Sequence, residues 1–286
     1  MRALLLICLA IFLEGAGWAQ NVEVHVPASV VAGSGASIST SGSGRAIFYL
    51  AGPGISRKNE IRLGEEIQLR PQEMQNAGAY QAIVCSDSCA SATFYVTAAK
   101  PDSLSFLVHP SRVPVSQSDA VSGVALPFDQ FHNFVLTPVS VNFQLNAAGG
   151  SLLTRAVRTQ DGVAWFRAAS GRSAEALQAI AAVDDLSVRR VVQQVASDPC
   201  NLRIEGQRVK TGILVQTEPV HDCAGNPVPD GTIVTFTATE ANGKSTVDAP
   251  IKQGIARAQI SGPGGAVISV ASGVVMGNEI RVGAQP

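Results

Sequence analysis

The chain has 286 residues, 46% hydrophobic and 15% charged, with 27 Gly and 15 Pro. Lys and Arg total 21 against 22 Asp and Glu, a net charge of -1, which excludes the basic footprint that nucleic-acid binding uses to displace counterions. It also excludes a polybasic membrane-surface protein, and the length reaches the size beyond which single cores stop growing, so several domains are expected.

Residues 1–19 read as a secretory signal. Arg2 gives a positive start, residues 3–13 form an apolar run closed by Glu14, and Gly17-Trp18-Ala19 places small residues before cleavage at Gln20. Eleven apolar residues are too few to span a bilayer core of ~30 Å. Cys8 lies inside the apolar run, which does not fit a lipoprotein cleavage site. The mature chain is expected outside the cytoplasm, secreted, at the cell surface or in the periplasm, with no integral membrane segment after cleavage.

Residues 20–99 form a first unit. Val22 to Val26, Ala36 to Ser39 and Glu66 to Leu69 alternate apolar and polar residues, the period of half-buried strands. Asn76-Ala-Gly-Ala-Tyr80 leading into Gln81 to Cys85 looks like the tyrosine corner of immunoglobulin-like sandwiches. The competing reading of Tyr80 is a half-buried strand aromatic.

Two further units follow, at 100–197 and 198–286, and an internal repeat defines them. Asp129-Gln-Phe-His-Asn133 and Asp222-Cys-Ala-Gly225-Asn226 each open a turn, and Phe143 and Phe236 stand 14 residues after the respective Asp. Gly162 and Gly254 follow at 33 and 32 residues. Three matches in order at nearly equal spacing argue for a repeated module of roughly 90 residues, the size of an immunoglobulin-like sandwich. Residues 174–196 lack Gly and Pro and are rich in helix formers, yet the repeat aligns them with 265–271, a poor helix. Strands are the preferred reading, with Asp184-Asp185 as the turn and a helix as the alternative.

The third unit is similar to a known family. Asp222-Cys-Ala-Gly225-Asn226-Pro227-Val228-Pro-Asp230, followed by Val-Thr-Phe236 and a later Gly, resembles the invasin/intimin-type bacterial Ig-like domain. The resemblance is strongest at 211–272 and extends over 101–286. It departs in the second unit, where His132-Asn133-Phe134 replaces Gly-Asn-Pro, which puts the tight turn there in question. It implies all-β architecture, three tandem immunoglobulin-like sandwiches counting the first unit, on an extracellular protein of stalk or adhesive type. It implies no catalytic residue.

Signal removal leaves Cys85, Cys89, Cys200 and Cys223, an even number in an exported chain, for which three pairings exist. A Cys85–Cys89 bridge would pin a hairpin turn, and a Cys200–Cys223 bridge would tie a first strand to a later loop. The C-x-x-x-C spacing does not suit zinc.

Chemistry is sparse. His25, His109, His132 and His221 have no G-x-S-x-G elbow to serve, and neither H-E-x-x-H nor G-x-G-x-x-G occurs. Residues 238–245 fit a relaxed phosphate-loop pattern, but Pro250 follows too closely for the helix that the chemistry requires, so an Asn-Gly hairpin is expected. One of Trp165 and Phe166 must face outward. Phe128, Phe131 and Phe134 either staple a boundary between units, the preferred reading, or form an apolar patch for a partner. No cofactor or metal is expected.

These features point to an exported, non-enzymatic protein for cell-surface adhesion or envelope organisation, with a protein or surface glycan as partner. The alternative is a carbohydrate- or protein-binding accessory module of an extracellular enzyme system.

Overall fold

A computed structural model describes residues 22–241, 243–261 and 265–283, so the signal segment and Asn242 lie outside the described residues. They are built of strands, with one 3-10 turn at Pro71–Glu73. No helix among them is long and apolar enough to cross a membrane.

The strands form tandem sandwiches. The first contains β1 (Val24–His25), β2 (Ser29–Val31), β3 (Ala36–Thr40), β4 (Arg45–Gly52), β5 (Ile55–Arg62), β6 (Ile67–Leu69), β7 (Gly78–Cys85) and β8 (Cys89–Thr97). Its two sheets run β1-β3-β6 and β2-β8-β7-β4-β5. Alternation sends Ile38, Phe48, Leu50, Val84 and Phe94 into one core, each at most 1% exposed. Burying each such side chain contributes about 1.5–3 kcal/mol. The Cys85–Cys89 disulfide closes the β7–β8 turn, where the two cysteines are cross-strand partners.

The second comprises β9 (Ser103–His109), β10 (Arg112–Pro114), β11 (Val121–Phe128), β12 (Ser140–Ala147), β13 (Gly150–Arg158), β14 (Ala164–Ala168), β15 (Ala176–Val183) and β16 (Leu186–Val195). Its sheets are β14-β11-β9 and β10-β16-β15-β12-β13. Phe106, Phe143 and Phe166 pack through its core as tilted ring pairs, with centroids 5.9 and 5.0 Å apart. Phe166 is buried and Trp165 is 60% exposed. Residues 174–196 are strands, with Asp184 in the left-handed turn between β15 and β16. Leu177, Ala179, Ala181 and Val183 all face the core, so burial at period two overrides helix propensity there.

The third holds β17 (Pro199–Cys200), β18 (Ile204–Val209), β19 (Gly212–Thr217), β20 (His221–Asp222), β21 (Ile233–Glu240), β22 (Gly243–Pro250), β23 (Arg257–Ile260), β24 (Ala266–Ser272) and β25 (Val275–Val282). Its main sheets are β18-β19-β23 and β22-β21-β24-β25 around Phe236, Ile251 and Ile268. The phosphate-loop look-alike is the β21–β22 hairpin, where Glu240 pairs with Gly243.

Packing groups these residues into two compact units whose boundary does not follow the sandwiches. One consists of the described residues up to Leu104 together with Leu126–Val139 and Thr159–Gly162; the other consists of Ser105–Ala125, Ser140–Arg158 and the described residues from Val163 onward. The loop 129–133 therefore packs in the first unit, with the first sandwich. The loop 222–226 packs in the second, with residues 172–174 and 197.

Candidate functional site

The two copies of the Asp-x-x-x-Asn motif fold alike. In the first unit Asp129, only 1% exposed, turns the chain back on itself. Its Oδ1 accepts the amides of Phe131 (2.9 Å) and Asn133 (2.8 Å). Oδ2 accepts the amide of Ala99 at 2.9 Å and Nδ2 of Asn133 at 2.9 Å. Two backbone bonds close the turn, from the Asp129 amide to the Asn133 carbonyl and from the His132 amide to the Asp129 carbonyl, both 3.0 Å. This is how a short carboxylate satisfies a loop that has no strand partner.

Asn133 then reaches back by more than 50 positions. Its Oδ1 accepts the Ala77 amide at 2.8 Å and its Nδ2 donates to the Gln75 carbonyl at 2.7 Å. The amide orientation follows from its partners, because only Oδ1 can face an N–H and only Nδ2 a carbonyl.

In the second unit Asp222, 4% exposed, does the same. Oδ1 accepts the Ala224 and Asn226 amides at 2.9 Å each, and Oδ2 accepts the Ser197 amide and Asn226 Nδ2 at 3.0 Å each. Asn226 Oδ1 accepts the Ala174 amide at 2.8 Å, and its Nδ2 donates to the Arg172 carbonyl at 2.8 Å. His132 takes the place of Gly225, and both sit at positive φ, 64° and 87°. The turn questioned at His132 is thus the same turn, held in a left-handed conformation by a non-glycine residue.

Burial alone would push both carboxyls up. At Asp129 the donors from Asn133, Ala99 and Phe131 outweigh it and hold the group below the usual carboxylate range. Donors from Asn226, Ser197 and Ala224 do so at Asp222.

The backbone that each Asn meets is itself held from behind. The Tyr80 hydroxyl donates to the Asn76 carbonyl at 2.9 Å, the geometry of a tyrosine corner, and its ring stacks on Phe94 at 5.5 Å. At the other site no tyrosine is present. Gln194, 1% exposed, donates from Nε2 to the Ser173 carbonyl at 2.7 Å and accepts from the Gly171 amide. In each case a buried side chain fixes the middle residue of three, and the outer two offer their carbonyl and amide to the Asn. Sequence reasoning missed Gln194, which carries no motif.

The phenylalanines divide. Phe131 packs against the core of the first sandwich, where a Cβ on Gly33 (φ 77°) would collide with its ring. Phe128 and Phe134 pair across the loop at 5.5 Å, each half-buried. At the second site Ala224 stands where Phe131 does, and the Cys200–Cys223 disulfide ties the loop to β17. Among the described residues no cluster of three or more His, Cys, Asp or Glu is placed to hold a metal.

No protein-family model matches the sequence, and no curated protein matches it. Solved structures share its fold. FdeC, an adhesin of Escherichia coli, is similar over 93% of this chain and 96% of its own, at a TM-score of 0.63 and 14% identity. InvD of Yersinia pseudotuberculosis is similar over 93% of this chain and 98% of its own, at a TM-score of 0.50 and 8% identity. Invasin, a bacterial integrin-binding protein, covers 93% of this chain with 60% of its own length, at a TM-score of 0.48 and 8% identity. The shared fold is that of tandem Ig-like sandwiches.

Proposed function

We propose that this chain is an exported, non-enzymatic protein that uses three tandem Ig-like sandwiches, near 20–99, 100–197 and 198–286, for adhesion or envelope organisation. The observation that carries this reading is the fold shared with an adhesin along 93% of the chain. The signal-like amino terminus and the two disulfides of the described residues support an oxidising, extracytoplasmic setting. Binding falls to loops and strand edges, the surfaces that a rigid scaffold presents. Phe128, Phe131 and Phe134 are assigned to packing, since Phe131 meets a sandwich core and the other two meet each other.

The test is attachment. Beads coated with the oxidised 20–286 chain are expected to bind host cells, or the envelope of the producing cell, several-fold more than beads carrying an unrelated Ig-like protein. Attachment abolished by free polysaccharide alone would favour a carbohydrate-binding accessory module. No attachment to any surface would leave a passive spacer and sink the adhesion reading.

A further inference from the structure

We propose that Asn133 and Asn226 are docking residues that fasten a loop of each later sandwich, the one between β11 and β12 or between β20 and β21, onto the backbone of the sandwich before it, and that Tyr80 and Gln194 are positioning residues that preset the receiving backbone. This stands whether or not the chain adheres to anything. It rests on one arrangement found twice with different side chains around it.

The receiving site has three residues, 75–77 or 172–174. The first offers its carbonyl and the third its amide, and both bind one Asn carboxamide at 2.7–2.8 Å. The middle carbonyl is tied from inside its own sandwich, by Tyr80 at 2.9 Å or Gln194 at 2.7 Å. The docking Asn is tied in turn, its Nδ2 lying 2.9 Å from Asp129 Oδ2, or 3.0 Å from Asp222 Oδ2. Each partner is thus set before they meet, which reduces the entropy that the contact must overcome. The carboxamide is the one neutral side-chain group that presents a donor and an acceptor side by side, matching an N–H and a carbonyl two residues apart. Asp would bring only acceptors, and Ser cannot span both. Because the contacts are to main chain, the receiving side chains carry no information. Gln75 and Ala77 at one site correspond to Arg172 and Ala174 at the other.

Amide hydrogen exchange on the oxidised 20–286 chain tests this. Asn133→Ala is expected to speed exchange at Ala77 by about tenfold or more and to leave Ala174 unchanged, with Asn226→Ala doing the reverse. Tyr80→Phe and Gln194→Leu act from the receiving side, without touching the loop. They should speed exchange at Ala77 and Ala174 respectively, by a smaller factor. Gln75→Ala and Arg172→Ala should change neither. Continued protection of Phe131 and Ala224, whose amides bind the Asp carboxylates, reports that the loops still fold in the Asn variants. Unchanged protection at Ala77 in Asn133→Ala with Phe131 still protected would overturn the proposal, as would Gln75→Ala matching the effect of Asn133→Ala. Should the loop itself open in Asn133→Ala, the Tyr80→Phe result decides alone, and no change at Ala77 there removes the positioning role.

Discussion

At the loop 129–133 the residue two past the aspartate is Phe131, whose ring sits on Gly33 against the first sandwich core. At the loop 222–226 that residue is Ala224, and the neighbouring Cys223 is bonded to Cys200. The bonds from each Asp and Asn to the surrounding backbone are the same at both loops. The difference teaches a division of labour. Within each loop the Asp and Asn hydrogen bonds fix the conformation and recur with the same residue types, whereas the sideways anchor needs only to contribute free energy, so an aromatic ring and a disulfide can exchange places.

Removing the anchors should expose that division. Cys200→Ala with Cys223→Ala opens a loop of sequence separation 23 and is expected to cost about 3 kcal/mol. Denaturant unfolding of the third sandwich reads this, and the shorter Cys85–Cys89 ring, of separation 4, should cost less when opened in the same way. A third sandwich of unchanged stability would mean that the hydrogen bonds hold the loop unaided. Phe131→Ala makes the first loop resemble the second without its disulfide. The ring is partly buried, so about 2 kcal/mol is expected in the unfolding of the first sandwich, while the Ala77 amide stays protected because Asn133 is untouched.

How far this comparison was legible in the sequence depends on the kind of contact. The Asp-to-Asn spacing, the later glycine and the strand alternation repeat as letters, so the sandwiches and both loops could be read. At residues 174–196 the helix-forming Leu177, Ala179 and Ala181 opposed the repeat, which favoured strands, and their shared core face in the folded chain agrees with the repeat. The target of each Asn was not legible at all. It binds main chain 52 to 58 positions away, and main chain has no spelling. Gln194 was missed for a related reason, since it does the work of Tyr80 with unrelated chemistry.

Acid should weaken both loops together. The carboxyls of Asp129 and Asp222 are held below the usual range in the folded chain. Their contribution is therefore fully present above the unfolded carboxylate pKa of about 4 and is lost as pH falls through the folded values. Glu73, which burial would raise but which its bonds to Arg70 and the Arg57 charge bring below the usual value, acts with the same sign in the first sandwich. Asp129→Asn and Asp222→Asn should each cost about 1–2 kcal/mol at pH 7 and flatten the fall in stability below about pH 4. If the double variant kept the full acid slope, the titrating groups would lie elsewhere.

The smallest effect separates the loops at one dihedral. Gly225 has φ 87° and open space where a Cβ would stand, while His132 holds φ 64° with a full side chain. Gly225→Ala therefore meets no steric neighbour, and its expected cost of about 1 kcal/mol comes from the left-handed conformation alone. His132→Gly removes that cost but adds freedom to the unfolded chain worth about 0.5–1 kcal/mol. The two nearly cancel, leaving a gain of about 0.5 kcal/mol or less. Measured side by side in thermal unfolding, the pair asks whether the loop tolerates His132 by relaxing or by strain. A clear gain for His132→Gly means that the Asp129 and Asn133 bonds hold the residue where it would not go alone. A loss means that His132 contributes contacts of its own, and the two loops would then differ in the turn as well as in their anchors.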